Sequence, residues 1–230
     1  MSLIKKLQFF NLKTVVSGAT ALSILVLNGC SQPTPFAIVE PSDSVAEAAT
    51  PYAATPSKST TLKNLISAYN GESNANIMYL AFAKKADTEG YKEVGSLFRA
   101  AARAEAIHRD NHAKVIRGMG GTPKNNIATP VVKSTVENLT QAIKGESYER
   151  DTMYPGFIKE ATQVGNQAAI QTFNYALEAE TGHAQLYTTA KNNLATWKQA
   201  NRPLYVCPVS GYTTLDAKSK NCSQPFEKVN

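Results

Sequence analysis

Two Glu-x-x-His units, Glu105-Ala-Ile-His108 and Glu180-Thr-Gly-His183, stand out in this chain of 230 residues. On an α-helix, residues i and i+3 share a face, so each unit aims a carboxylate and an imidazole at one point. Each unit also follows a Gly-Glu-Ser triplet: Glu72 precedes Glu105 by 33 residues, and Glu146 precedes Glu180 by 34. One Glu from each of two helices, plus Glu-x-x-His from each of two others, is the ligand set of carboxylate-bridged di-iron or di-manganese bundles. A single unit is weak evidence, because Glu is common on solvated helix faces. Two units, each with a matching upstream Glu, form a specific pattern.

Four carboxylates converging on a helical core would be costly without cations to neutralise them. Two divalent ions fit: Glu105 and Glu180 as bridges, His108 and His183 as terminal imidazoles, and Glu72 and Glu146 supplying further oxygens. Mixed oxygen and imidazole ligation suits iron or manganese better than calcium and lacks the thiolates of structural zinc; the residues alone do not choose between iron and manganese. His112, one turn past His108, is expected to be a core or surface histidine. Arg99, Arg103 and Arg109 read as a solvated face, and Glu178, two residues before Glu180, should point elsewhere. No Ser/His/Asp or Cys/His nucleophile is evident.

These residues need long helices to position them. Leu62, Leu65, Ile66 and Tyr69 have helical spacing behind a Ser59-Thr60-Thr61 cluster suited to capping. The pattern predicts helices at about 60–87, 90–118, 133–162 and 165–198, with Gly90 and Gly165 at tight turns and a Gly/Pro-rich link of some 14 residues between the second and third. The first pair repeats in the second. Met78-Tyr79 aligns with Met153-Tyr154, Phe98 with Phe173 and Glu105 with Glu180 at an offset of 75, whereas Glu72 and Glu146 are offset by 74. One residue has been gained between Glu146 and Met153. It is absorbed either as a π-bulge near Glu149, turning that carboxylate inward, or as a shifted helix start. The expected fold is therefore all-α, a four-helix bundle built from two helical hairpins, closed within one chain or swapped between two.

The bulk composition agrees, since 43% hydrophobic and 18% charged residues suit a globular domain. The formal charge of +6 drops to +3 without Lys5, Lys6 and Lys13, and no basic patch interleaved with aromatics marks nucleic acid. Those lysines head an apolar run, Thr14 to Leu27, that reads as an export signal. It ends at Leu27-Asn28-Gly29-Cys30, which resembles a bacterial lipobox and implies lipidation at Cys30 of a protein anchored outside the cytoplasm. An uncleaved anchor or an ordinary signal peptide is the alternative. Residues 1–30 are thus assigned to the signal and 31–59, rich in Pro, Ser, Thr and Ala, to a tether.

Residues 60–200 resemble the ferritin-like domain of the rubrerythrin family, through Gly71-Glu72-Ser73, Glu105-x-x-His108, Gly145-Glu146-x-x-Glu149, Met153-Tyr154-Pro155 and Glu180-x-x-His183. The resemblance implies two iron ions, with Glu149 as an extra carboxylate that exchanges with His108 when the redox state changes. It also implies that Tyr79 and Tyr154 donate hydrogen bonds to ligating carboxylates; plain core aromatics are the alternative. Residues 204–230 resemble that family's rubredoxin-like tail in degenerate form, small and irregular with some β structure. Four thiolates are required around a rubredoxin iron, yet Ser210 and Pro225 stand at two of the positions beside Cys207 and Cys222. No tail iron is expected. A Cys207–Cys222 disulfide is expected, with free thiols or a labile redox pair as alternatives. By resemblance the substrate is hydrogen peroxide, reduced to water with electrons from an unidentified external donor in a homodimer. A ferroxidase or iron store, and a non-catalytic exported scaffold, are the competing readings.

Overall fold

The computed structural model describes residues 57–199 and 202–230. Cys30, the export signal and almost all of the tether lie outside the described residues. Four helical rods run as α1 (Lys58–Thr88), α2 (Lys92–Gly118), a third rod of α3 (Thr135–Tyr148) and α4 (Tyr154–Gln163), and α5 (Gln167–Asn192). Gly90 and Gly165 make the tight turns at φ of 81° and 69°, a left-handed conformation that costs glycine little. The cap of α1 is Ser57, whose hydroxyl accepts from the Thr60 amide, rather than the Ser59–Thr61 cluster. Ser134 and Glu137 form a reciprocal capping box at α3. The α2–α3 link lies along α1, held by the Asn126 and Ala128 amides donating to Asn70 and Asn74.

The third rod carries the gained residue as a π-helical turn, Glu149–Met153, in which the Tyr154 amide reaches back five residues to the Glu149 carbonyl. Pro155 lies just beyond it, in the first turn of α4. In an unbroken α-helix its ring would meet the carbonyl four residues earlier; the widened turn relieves that clash. The fourth rod stops at Asn192, six residues short of the expected end. A 3-10 turn, Leu194–Thr196, then brings Trp197 into the core, where it is 1% exposed.

Along the rods a polar layer separates two apolar ones. On α1, Leu65 and Ala68 precede Glu72, and Tyr79 and Phe82 follow it; on α5, Phe173 and Ala176 precede Glu180, and Tyr187 follows. One apolar cluster centres on Phe82, Leu97, Phe98 and Tyr187, the other on Leu65, Ile116, Tyr154 and Phe173. The tail adds a three-stranded antiparallel sheet in the order β2 (Thr213–Thr214), β1 (Leu204–Val206), β3 (Glu227–Val229). Leu204 and Val206 share the first cluster with the helices, so the tail is part of the same core.

Phe98 packs against Tyr79, Phe82 and Tyr187 with ring centroids 5.9, 5.4 and 5.1 Å away. Replacing it with alanine is expected to cost about 3–5 kcal/mol, read by denaturant unfolding. A loss below about 1 kcal/mol, as for a side chain outside a packed core, would show that this aromatic layer does not hold the rods together.

Candidate metal centre

Each rod delivers one buried carboxylate to the middle layer. Glu72 comes from α1, Glu105 and His108 from α2, Glu146 from α3, and Glu180 and His183 from α5; none is more than 2% exposed. Their ligand atoms form two overlapping groups, Glu72–Glu105–His108–Glu180 and Glu105–Glu146–Glu180–His183, each spanning no more than 4.8 Å. Glu105 and Glu180 belong to both, the placement of bridging carboxylates, and all six residues come from one chain. Glu149 belongs to neither group. It is half-buried at the edge of the site, in a groove of about 370 Å³ also lined by Tyr79, Gly71 and Gly145.

One oxygen of each central carboxylate is buried without a hydrogen-bond partner: Glu72 Oε2, Glu105 Oε1, Glu146 Oε2 and Glu180 Oε1. Such orphaned acceptors are costly in a protein interior, and four converging ones match the donor set of a dinuclear cation site. The other oxygens of Glu105 and Glu180 meet His108 and His183, and those of Glu146 and Glu72 are held from outside the cluster. Tyr79 donates to Glu146 Oε1 at 2.5 Å, and Tyr154 donates to Glu72 Oε1. His112 is a core histidine, accepting or donating between Tyr154 at 3.2 Å and Thr172 at 2.9 Å, so it supports Tyr154. Tyr187 lies between Tyr79 and His183, with centroids 5.6 and 6.4 Å away. Its position one turn past His183 was the only sign of it in the sequence.

Without metal, the cluster must share protons. Burial and the charge of Glu180 push Glu105 up to about 8. Burial also raises Glu146, reinforced by Glu180 and Glu105, and raises Glu149, reinforced by Glu72. Burial is the largest influence on both imidazoles and opposes their charged forms, but the facing carboxylates together outweigh it, Glu180 and Glu105 at His108 and Glu105, Glu146 and Glu180 at His183, so both are raised. Glu180 goes the other way: despite burial, His108 and His183 hold it below the ordinary carboxylate range. Burial lowers His112.

The outer ring nitrogens of His108 and His183 face the tail. His108 Nε2 lies 2.9 Å from the Ser210 carbonyl, and His183 Nε2 lies 3.0 Å from the Thr213 hydroxyl. The arginines expected on a solvated face are partly exposed, and two of them also hold this tail. Arg103 makes a two-pronged pair with Glu227 at 2.7 and 2.8 Å, and Arg99 donates to the Asn230 carbonyl at 2.7 Å. Glu178 likewise accepts from Asn221 at 2.9 Å, while Arg109 pairs with its neighbour Asp110. Cys207 and Cys222 are bonded, with Cα atoms 5.6 Å apart. The contacts between bundle and tail join residues 30 to 131 positions apart, and no local pattern announces them.

The profile of the rubrerythrin family matches residues 63–191. Rubrerythrin-2 of Clostridium acetobutylicum is 39% identical over 161 residues, covering 69% of this chain and 87% of that one. Nigerythrin of Nitratidesulfovibrio vulgaris is 38% identical over 163 residues, covering 70% and 80%. A solved structure of nigerythrin in its fully reduced, all-ferrous state superposes with a TM-score of 0.69 at 34% identity, covering 80% of this chain and 91% of that chain. A bacterioferritin from Desulfovibrio desulfuricans shares the fold alone, with a TM-score of 0.56 at 20% identity over 62% and 83% of the two chains. With a ferritin-like bundle, two overlapping Glu/His ligand groups and these relatives, the chain belongs to the rubrerythrin family.

Proposed function

We propose that this chain is a non-haem di-iron peroxidase, exported and anchored by lipid at Cys30, that reduces hydrogen peroxide to water with electrons from an external donor. The observation that carries the proposal is the convergence of four orphaned carboxylate oxygens in two overlapping ligand groups. Glu72 and His108 would hold one ion, Glu146 and His183 the other, and Glu105 and Glu180 would bridge them. Manganese suits the same donors; the all-ferrous nigerythrin structure favours iron. When bound, two ferrous ions supply the two electrons that cleavage of one O–O bond requires.

The chain's own residues do the rest. Tyr154 and Tyr79 orient the terminal carboxylates by donating to the oxygen that does not face the centre. The groove beside Glu149 gives a small solute a way in, and its raised affinity for a proton places an acid at that entrance. Glu149 is also the carboxylate assigned to exchange with His108. Ser210 and Pro225 in place of two thiolates support a tail without iron, hence a donor from outside. The Cys207–Cys222 bond supports an oxidising compartment. Exposed apolar Ile127, Val131, Val132 and Val136 support a homodimer, swapped or not, although the ligand set is complete within one chain.

Purified protein should bind about two ferrous ions per chain. When it is loaded without oxygen and mixed with stoichiometric peroxide, stopped-flow absorption should show oxidation within seconds and a much slower reaction with oxygen. Faster oxygen consumption with iron turnover would make it a ferroxidase, and failure to bind metal would leave a scaffold.

Stability should report the same site. Glu105 keeps its proton to about pH 8 in the folded metal-free chain, against an ordinary value of 4.5. The folded state therefore holds the extra proton between those values, and its stabilising effect is complete below the lower and lost as pH rises through the upper. The raised His108 and His183 act in the same direction; the lowered Glu180 acts oppositely, but only as pH falls through the acid range. Metal-free protein should thus melt at a higher temperature at pH 6 than at pH 8. Ferrous ion should abolish or reverse that order, since it binds the deprotonated ligands. A metal-free melting temperature that rises from pH 6 to 8 would contradict proton sharing in the cluster.

A further inference from the structure

Both ligating imidazoles touch the tail through the nitrogen that faces away from the carboxylates. The Ser210 carbonyl can only accept, so His108 Nε2 must carry the proton in their 2.9 Å contact. Thr213 resolves the second contact, because its hydroxyl donates to the Gly211 carbonyl at 3.0 Å and so offers a lone pair to His183 Nε2. In each ring Nδ1 is then the atom turned to the cluster, 2.9 Å from Glu105 for His108 and 2.8 Å from Glu180 for His183. The tail thereby selects, in both histidines, the tautomer and ring orientation that a metal requires.

The segment that does this is shaped by local hydrogen bonds and a covalent cross-link. Residues 207–212 form a tight knuckle, with the Gly211 amide donating to the Cys207 carbonyl and the Cys207 amide to the Tyr212 carbonyl, each at 2.9 Å. Gly211 has a φ of +78°, and a Cβ there would collide with His108 Nε2, so this backbone rests directly on the imidazole. The disulfide ties the knuckle to Cys222, fifteen residues on, and Asn111 holds the Val209 carbonyl at 2.9 Å from the other side. A groove of about 360 Å³ lined by Cys207, Ser210 and Cys222 opens beside the bond. Cys207 is buried and Cys222 half-buried there, so a small thiol would approach the bond from the side of Cys222.

We propose that the tail is a disulfide-locked positioning element for the dinuclear centre. The Ser210 carbonyl and the Thr213 hydroxyl set the two histidine ligands, and the Cys207–Cys222 bond keeps both in place, so that metal affinity depends on the oxidised state of the tail. Reduction by a dithiol breaks one S–S bond, forms two thiols and leaves the reductant as its own disulfide; the knuckle is then free to lift from the histidines. The proposal rests on the cluster being a metal site, but not on which reaction that site performs.

The test is titration of the purified protein with Co(II), followed by its visible absorption and by calorimetry. Thr213→Val should weaken the ion held by His183 by about 10- to 100-fold, the usual effect of losing a partner of a ligating histidine, and leave the other ion near its original affinity. Thr213→Ser, which keeps the hydroxyl, should restore the binding and the spectrum. Gly211→Ala should weaken the His108 ion selectively, and Cys222→Ser should weaken both, with hydrogen exchange quickening at residues 210–213. Helical circular dichroism separates these effects from unfolding. Wild-type protein that binds no Co(II) would remove the metal site and this proposal with it. Wild-type protein that binds two ions, with Thr213→Val and Cys222→Ser binding them equally well, would overturn the proposal and leave the metal site standing.

Discussion

Negative charge at the centre of an apolar bundle is the constraint to which the remaining features answer. Glu72, Glu105, Glu146 and Glu180 are withdrawn from water by rods whose other inward residues are mostly apolar or aromatic. Desolvating four carboxylates is far more costly than any single contact in the core can offset. The metal-free chain responds by sharing protons, raising Glu105 and Glu146 while the imidazoles hold Glu180 ionised. A pair of divalent ions answers the same problem without protons. The geometry favours that solution, because two of the carboxylates are common to both ligand groups.

A site of this kind works only if its ligands cannot relax away from one another. Hydroxyl and imidazole groups beyond the centre restrain them: Tyr79 on Glu146, Tyr154 on Glu72, and His112 with Thr172 behind Tyr154. The aromatic rings that carry these hydroxyls are also the packing between the rods, so the polar restraint and the hydrophobic core are built from the same side chains. The π turn is part of this arrangement. It accommodates Pro155 and brings Tyr154 under Glu72, with Glu149 at the edge of the site.

The tail adds a third layer of restraint. It is bonded to the bundle by Arg99, Arg103, Asn111 and Glu178 and contributes Leu204 and Val206 to the core. Its Ser210 carbonyl and Thr213 hydroxyl complete the surroundings of His108 and His183.

The repeated Gly-Glu-Ser and Glu-x-x-His spacings determined the helices, their pairing into hairpins and the six residues that meet at the centre, because helical periodicity turns spacing directly into a shared face. The offset of 74 against 75 likewise located the gained residue, although not whether the helix would widen or start later; Pro155 and the packing of Tyr154 decided that. What only the tertiary structure decided is what touches across the rods. The roles of His112, Tyr187, Arg103, Glu178, Ser210 and Thr213 come from contacts between segments far apart in the chain, and a residue's type does not reveal which distant atom will satisfy it. For the same reason only the folded chain shows that Arg99 and Arg103 also clamp the tail, and that Ser210 and Thr213 of the tail meet the outer nitrogens of His108 and His183.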